Sequence, residues 1–366
     1  MLIKYRPNRC FGFSLIELMV GLVLGLLTTG VVMTIFVSNH NVFRTDDGIT
    51  RVQENAKFIQ EFIVKNIRMS GFRGCLSKQQ TSLVNTLNMA TNLAFNFSQG
   101  IEGVDNIPNT LPANILAYIT AAEPRPLVGT DMLFMRGPIG TSVNLSQNNS
   151  DSSVFTEIVP NKISTPCNSG GRISDLCFGD IVMISDCKKS RMFQINSMDI
   201  VSGAGSTQTL SIGHSIGGTI SPGNLVGAWS PASNKQDSFN SGSEVIPYQT
   251  QALYVATNPI TNQNALYRKI NNQVAQVLVD SVRDLQISYG IDTNADRQVD
   301  SYVTAASVSN WGNVVSVRIA LLLFSSEDGI LNSHQTINFN NATVLMPDTR
   351  WYLPVTITAT LRNRIS

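Results

Sequence analysis

Hydrophobic and polar residues form three successive patterns along the chain. Residues 13–37 are an apolar run whose single charged side chain is Glu17. Residues 38–70 carry apolar side chains at steps of three and four, opposite a charged face, which predicts an amphipathic helix. The apolar stripe consists of Ile49, Val52, Ala56, Ile59, Ile63 and Ile67. From there on, short apolar runs separated by Gly, Ser, Asn and Pro predict strands joined by turns.

The first two patterns predict one continuous helix. A helix over residues 13–37 is roughly 37 Å long, which is enough to cross a hydrocarbon core of roughly 30 Å. A secretory signal peptide has an apolar segment about half as long, followed by an A-x-A cleavage site that this chain lacks. A membrane helix is therefore the better interpretation. Gly71 is the expected C-terminal cap, and Gly48 weakens the helix at a point that allows a bend.

Charged residues before the apolar run predict its orientation. Residues 1–12 contain Lys4, Arg6 and Arg9 and no acidic residue. Positive residues stay on the cytoplasmic side of a membrane helix, so the rest of the chain is expected in the periplasm.

The remainder of the chain is expected to fold as one β-rich head. Strands are predicted at residues 131–136, 180–185, 191–195, 314–325 and 351–361. Residues 141–153 and 201–244 are predicted loops, and the second is long enough to contain weak hairpins. In the clearest strand, 314–325, alternate positions are apolar along one face.

These elements give an α+β fold with the outline of a lollipop. Its long N-terminal helix has a membrane half, residues 13–37, and an amphipathic half, residues 38–70. The helix packs on a large antiparallel β-rich head, residues 71–366.

Composition narrows the functional class. The chain has 366 residues, of which 14% are charged, and a formal net charge of +1. Because the basic residues are dispersed, no direct nucleic-acid partner is expected. The sequence contains no G-x-S-x-G, no H-E-x-x-H and no phosphate-cradling glycine loop. We therefore predict a protein without enzymatic activity and disfavour the alternative of a membrane-anchored periplasmic enzyme.

Four cysteines follow the membrane segment, which indicates disulfides in an oxidising compartment. Cys177 and Cys187 flank the predicted strand 180–185, so they lie about 30 Å apart if that stretch is extended. A disulfide needs Cα atoms within about 7 Å, which excludes this pair and, with it, Cys75–Cys167. We favour Cys167–Cys177 together with Cys75–Cys187. The pairing of Cys75 with Cys177 and of Cys167 with Cys187 stays open, and a zinc site is disfavoured because no C-x-x-C pair exists.

An acidic stretch in the head has the spacing of a calcium-binding loop. Arg297 replaces the usual glycine, and Val303 stands where a bidentate glutamate is expected. The alternative is an Asx-rich turn between two strands. A structural calcium is the one candidate cofactor, and its candidate ligands are Asp292, Asn294, Asp296, Gln298 and Asp300.

The start of the apolar run, Gly12-Phe13-Ser14-Leu15-Ile16-Glu17, resembles the processing site of type IV prepilins. The resemblance implies that prepilin peptidase cuts after Gly12 and methylates the new amino group of Phe13. A carboxylate inside a membrane costs roughly 2.5–3.5 kcal/mol. Pairing Glu17 with the N-terminal amine of a neighbouring subunit would offset the burial of both charges. Glu17 is therefore interpreted as an assembly residue.

Further motifs resemble one branch of these proteins, the PilW-type minor pilins. In order, they lie at residues 53–56, 68–75, 185–187, 282–292 and 361–364. Together with the processing site, they extend the resemblance from residue 12 to residue 364.

This resemblance implies a role in building a type IV pilus. The protein would be held in the inner membrane with its head in the periplasm, and would move to the pilus tip on assembly. It would join other minor pilins and the major pilin in a complex that primes assembly, and this complex could carry a PilY-type tip adhesin. Twitching motility, adhesion and DNA uptake would follow from the filament. The alternative is a minor pseudopilin of a type II secretion system.

Overall fold

A computed structural model describes residues 14–74, 83–167, 169–202, 208–227 and 229–365. One long helix leads into a head whose regular elements are mostly strands, so the predicted α+β class is confirmed. The elements in chain order are α1 (Leu15–Met69), β1 (Leu83–Asn85), β2 (Ile101–Val104), α2 (Ala113–Tyr118), β3 (Met132–Pro138), β4 (Val143–Asn144), β5 (Ser153–Glu157), β6 (Ile181–Ser185), β7 (Ser190–Gln194), β8 (Ser197–Ser202), β9 (Gln208–Gly213), β10 (Glu244–Thr257), β11 (Asn264–Ile270), β12 (Gln276–Asp280), β13 (Val282–Ile291), β14 (Ser301–Val303), β15 (Val314–Phe324), β16 (Thr336–Phe339), β17 (Ala342–Leu345), β18 (Tyr352–Thr360) and α3 (Arg362–Ile365).

The head is organised around β10, a strand of 14 residues. Its first part, residues 244–247, pairs with β4 and β6, and its second part, residues 248–257, pairs with β3 and β11. In this way β10 joins two groups of strands into one nine-stranded sheet. A second sheet has the strand order β14-β13-β15-β18. A three-stranded sheet, β5-β9-β8, and the hairpin β16–β17 complete the head. Pairing is antiparallel throughout the described strands, apart from the parallel pair β1–β7.

The C-terminal half of α1 packs on the core of the head. Val52, Ile59, Ile63 and Ile67 are buried, and Ile49 at the start of the predicted stripe is half-buried. The four buried residues join one apolar cluster with residues from the four-stranded sheet and from β3, β10, β11 and β12. The helical spacing of the stripe therefore fixes which side of α1 faces the two sheets.

Three further apolar clusters lie away from the helix. One covers the opposite face of the nine-stranded sheet and includes α2, and another surrounds Trp229. The last lies between the hairpin β16–β17 and the end of the four-stranded sheet, where it buries Leu322 and Phe324. The predicted loop 141–153 contains the short strand β4. The predicted loop 201–244 begins within the hairpin β8–β9, and its described residues 214–227 and 229–243 contain no named strand.

Candidate functional site

The predicted processing site lies at the start of α1. Gly12 and Phe13 are outside the described residues. Ser14 caps the helix, and its hydroxyl accepts a hydrogen bond from the Glu17 N–H at 3.2 Å. In return, the Glu17 carboxylate accepts a hydrogen bond from the Ser14 N–H at 3.0 Å, which completes a capping box. The Glu17 carboxylate therefore turns towards the N-terminus of the helix, where it contacts Ser14, the residue that follows Phe13 in the sequence.

The N-terminal half of α1 exposes apolar side chains on all sides. Leu15, Leu22, Leu26 and Phe36 are each more than half exposed. The threonine hydroxyls in this stretch donate to backbone carbonyls of the same helix, for example Thr29 to Gly25 at 2.7 Å. By its length and composition, α1 can cross a membrane, and the described residues bury none of its most apolar window. This half of the helix is therefore consistent with membrane anchoring.

The two halves of α1 meet at a polar contact with the head. Arg44 donates two hydrogen bonds to Glu327 Oε2, at 2.9 and 2.6 Å, although both side chains are about half exposed. One turn later, Gly48 faces the loop before β16, and a Cβ added there would lie 3.3 Å from Ile330 Cδ1. The helix continues through Gly48, where the missing side chain permits this close approach.

The C-terminal end of α1 is fixed by a glycine, as the sequence predicts. Gly71 has a φ of +73°, and its N–H donates to Arg136 O in β3 at 2.8 Å. A Cβ added at Gly100 would lie 2.5 Å from the Cα of Gly71, so these two backbones touch. The helix end is consequently held against the edge formed by β2 and β3.

The predicted disulfide between Cys167 and Cys177 is present, with a Cα–Cα distance of 5.6 Å. It closes a turn that contains Asp175, whose carboxylate accepts the backbone N–H groups of Ile163 and Lys162 at 2.9 and 2.7 Å. These hydrogen bonds stabilise the charged form and lower the pKa of Asp175. The covalent bond and the carboxylate therefore hold one irregular segment against the sheet.

The second predicted disulfide is described at one end. Cys187 is disulfide-bonded, whereas Cys75 lies outside the described residues. The chain after α1 reaches the strand that precedes Cys187, because Ser185 Oγ donates to Arg73 O at 3.1 Å. This contact agrees with the Cys75–Cys187 pairing, which stays a prediction.

The predicted calcium loop joins β13 to β14, and its carboxylate and amide oxygens are used within the loop. They accept backbone N–H groups from Thr293 (to Asp300, 2.7 Å), Asp296 (to Asn294, 2.9 Å), Arg297 (to Asp292, 2.8 Å) and Gln298 (to Asp296, 2.8 Å). Such bonds define Asx turns. Among the described residues, no group of three or more His, Cys, Asp or Glu side chains could hold a metal ion. The structure therefore does not support the calcium interpretation, and the Asx-rich turn is the better description.

The three histidines have separate structural contacts. His214 is buried, stacks on Trp229 with ring centroids 3.8 Å apart, and has its Nδ1 2.8 Å from Gly227 O. His334 Nδ1 lies 2.9 Å from Met346 O. His40 lies on the exposed half of α1. These positions do not bring the histidines together at one site.

A cleft beside the disulfide was not predicted from the sequence. It has a volume of about 700 Å³ and lies between the turn that contains Cys167 and the strands β10 and β11. Gln249, Asn271 and Arg268 contribute polar groups to its wall. The residues that line this cleft are far apart in sequence. The spacing of the cysteines could have indicated the wall that contains the disulfide, but not the wall formed by β10 and β11.

Comparison with known proteins identifies two regions. The model of the family described as Type IV Pilus-assembly protein W matches residues 249–363, and that of the prokaryotic N-terminal methylation motif matches residues 7–35. Searches of curated proteins and of solved structures return no match.

The first match runs from residue 249, inside β10, into α3, and so includes the four-stranded sheet that packs on α1. The second covers the predicted processing site and the apolar half of the helix. The chain therefore carries a PilW-family domain behind a prepilin-type methylation motif. Both matches support a type IV pilus-related pilin, which is a structural component associated with other pilus components.

Proposed function

We propose that this chain, which carries a PilW-family domain behind a methylation motif, is a minor pilin of a type IV pilus. It acts in a complex of minor pilins that primes pilus assembly and remains at the tip. The carrying observation is the division of α1 into an apolar half that the described part of the head leaves exposed and a half built into the head. The first half needs an apolar environment, which lipid provides before assembly and the filament core provides afterwards.

Processing would prepare the first half for this transfer. Prepilin peptidase would cut after Gly12 and methylate Phe13, which creates a cationic amine close to Glu17. The Glu17 carboxylate already turns towards that end of the helix, as its hydrogen bond with Ser14 shows. On assembly it would exchange this contact for the amine of a neighbouring subunit, which offsets the cost of burying both charges.

The head would provide the surfaces for partners. It projects into the periplasm while the helix is in the inner membrane, and outside the cell once the pilus is extended. Its neighbours would be other minor pilins, the major pilin and a PilY-type tip adhesin. Twitching motility, adhesion and DNA uptake are then properties of the filament that this subunit helps to start.

Two measurements on cells that make the protein test this function. Mass spectrometry of the mature chain should find N-methylated Phe13 as its first residue. A Glu17→Val strain should make at least tenfold fewer pili, because the new amine loses its partner. Glu54→Val is the matched control, since Glu54 is an exposed acid on the half of the same helix that contacts the head, and it should leave pilus number unchanged.

Other outcomes would reject the proposal. Normal pilus assembly by an uncleaved chain would show that processing and the Glu17 pairing are not needed. Intact pili in a deletion strain that has lost protein export would instead identify a minor pseudopilin of a type II secretion system. The PilW-family match favours the pilus over this alternative.

A further inference from the structure

The edge of the four-stranded sheet is formed by β18, which among the described strands pairs with β15 alone. With nine residues, it offers a long row of backbone groups to a further strand. Two hydrogen bonds at the ends of this pair of strands show which residues face β15. Leu361 N–H donates to Val315 O, and Ser325 N–H donates to Trp351 O, both at 2.9 Å. Odd-numbered residues of β18 therefore exchange their backbone hydrogen bonds with β15, whereas even-numbered residues direct their N–H and C=O groups outwards, away from the sheet.

The first part of this outward edge is closed. Tyr352 N–H donates to Gln335 Oε1 at 2.8 Å, and Tyr352 O accepts from Gln335 Nε2 at 3.0 Å. Pro354, the next outward residue, has no N–H to offer. Proline and side-chain cover are two ways in which proteins protect a sheet edge from other strands.

The second part of the edge lacks this protection. Thr356, Thr358 and Thr360 are exposed. Within the described part of the chain, no hydrogen bond engages the backbone N–H or C=O of Thr356 or Thr358. The outward groups of these residues are therefore available to an added strand, over a length of about five residues.

A groove of about 720 Å³ lies beside the open part of the edge. Its walls come from the exposed flank of α1, including Val64 and Met69, and from Thr360 at the end of β18. The charged residues along it are Glu61, Lys65, Arg68 and Arg362. No salt bridge among the described residues involves any of these four side chains. Three unpaired cations against one acid give the groove a positive charge.

We propose that this edge and groove form a docking site for an extended, acidic segment of another polypeptide. The segment would add a strand to the sheet by hydrogen bonding to the outward groups of Thr356 and Thr358. Alternate side chains of an added strand point to opposite faces, so every second one would enter the groove. Carboxylates at those positions would meet Lys65, Arg68 and Arg362.

A second copy of this chain fits the site less well. The β18 strand of a second copy (Tyr352–Thr360) contains no acidic residue, so it would offer no carboxylate to the three cations of the groove. The docking site lies in the head, so its use does not depend on incorporation of the chain into a filament.

The probe for this site is a labelled nine-residue peptide in which valine and glutamate alternate. Fluorescence anisotropy with the full chain in detergent micelles should show at least tenfold tighter binding than for a peptide that alternates valine with lysine. Hydrogen exchange at the amides of Thr356 and Thr358 should slow when the glutamate peptide is added. Equal binding of the two peptides, or an unchanged exchange rate, would overturn the proposal.

Matched variants separate the two parts of the site. Thr358→Pro removes an outward N–H without removing a bond to β15, and should weaken binding of the glutamate peptide at least tenfold. Thr358→Ala keeps that N–H and should bind as the original chain does. The triple variant Lys65→Glu, Arg68→Glu and Arg362→Glu should reverse the preference between the peptides, and it changes exposed side chains only.

Two results would overturn the proposal at this stage. One is unchanged binding by both the proline variant and the triple variant. The other is a dimer in micelles that Thr358→Pro dissociates, because the occupant would then be a second copy of the chain.

Discussion

The two halves of α1 are one continuous helix with two different environments. Ile35 in the first half is 55% exposed, whereas Ile63 in the second half is completely buried. Apolar residues surround the first half on every side, and they follow a single stripe in the second. The comparison shows that the arrangement of apolar residues, more than their number, decides what a helix packs against. A stripe specifies one face of a folded head, while an all-round apolar surface specifies an apolar medium.

The largest difference between the halves should appear on truncating one isoleucine in each. Ile63→Ala should lower the free energy of unfolding of the head by about 2–5 kcal/mol, because it leaves a cavity in the core that the two sheets share. Ile35→Ala, the matched change, should alter it by less than about 0.5 kcal/mol. Denaturant unfolding of the full chain in micelles, followed by tryptophan fluorescence, measures both. Similar losses in the two variants would mean that the halves are not energetically distinct.

The next largest effect on the free energy of unfolding, about 3 kcal/mol for each group, comes from two buried side chains of the head that respond to pH in opposite directions. Burial lowers the pKa of His214 to about 4, and burial raises the pKa of Asp131 to about 6. Unfolded histidine binds a proton below about pH 6.5 while folded His214 stays neutral, so its contribution to stability is lost as pH falls from about 6.5 to 4. Folded Asp131 keeps its proton up to about pH 6 while the unfolded form loses it near 3.8, so stability falls as pH rises through that range.

The two slopes oppose each other in the original chain, so variants are needed to see them. Asp131→Asn should leave a head whose unfolding free energy falls on acidification, and His214→Phe should leave the reverse slope. The charged groups that act on each site are the Arg191 cation for His214 and the carboxylates of Asp105 and Asp284 for Asp131. Circular dichroism should show that the C-terminal half of α1 unfolds with the head while the apolar half stays helical. Loss of all helical signal in one step would contradict the division of the helix.

The smallest effect is expected at the boundary between the halves. Glu327→Ala removes the ion pair with Arg44, and because both side chains are about half exposed the cost should be at most about 1 kcal/mol. The loss should shrink further in 1 M salt, which screens exposed charges. Asp47→Ala, which removes an exposed pair within the helix alone, is the control. A larger, salt-independent loss at Glu327 would show that this contact fixes the angle between helix and head.

Features set by local pattern could be predicted from the sequence. The stripe of α1, the cap at Gly71 and strand β15 all depend on spacing or on one residue's backbone preference. The Cys167–Cys177 bond spans ten positions, which is short enough for spacing to favour it. Strand β10 escaped prediction because it is buried on both faces, including the polar residues Gln249 and Thr250, and therefore shows no alternation.

The start of the helix and the open sheet edge could also be predicted in part from the sequence. Ser14 and Glu17 have the spacing of a capping box, and that signal was available in the sequence. Pro354 within a strand pattern indicates an edge strand, which was a second usable signal. The contact of Arg44 with Glu327 joins residues 283 positions apart, and no local pattern encodes such a pairing.

The length of β10 limits how far the head can be divided into modules. The family-matched region begins at residue 249, inside this strand, while the neighbours of the first half of β10 all precede it in sequence. Excising residues 83–248 would remove the start of β10 together with β3, β4 and β6, so the rest of β10 would keep only β11 as a partner, and the remaining members of the apolar cluster, such as Tyr254 and Tyr267, would be uncovered. The two regions of the head therefore have to be expressed and engineered as one unit.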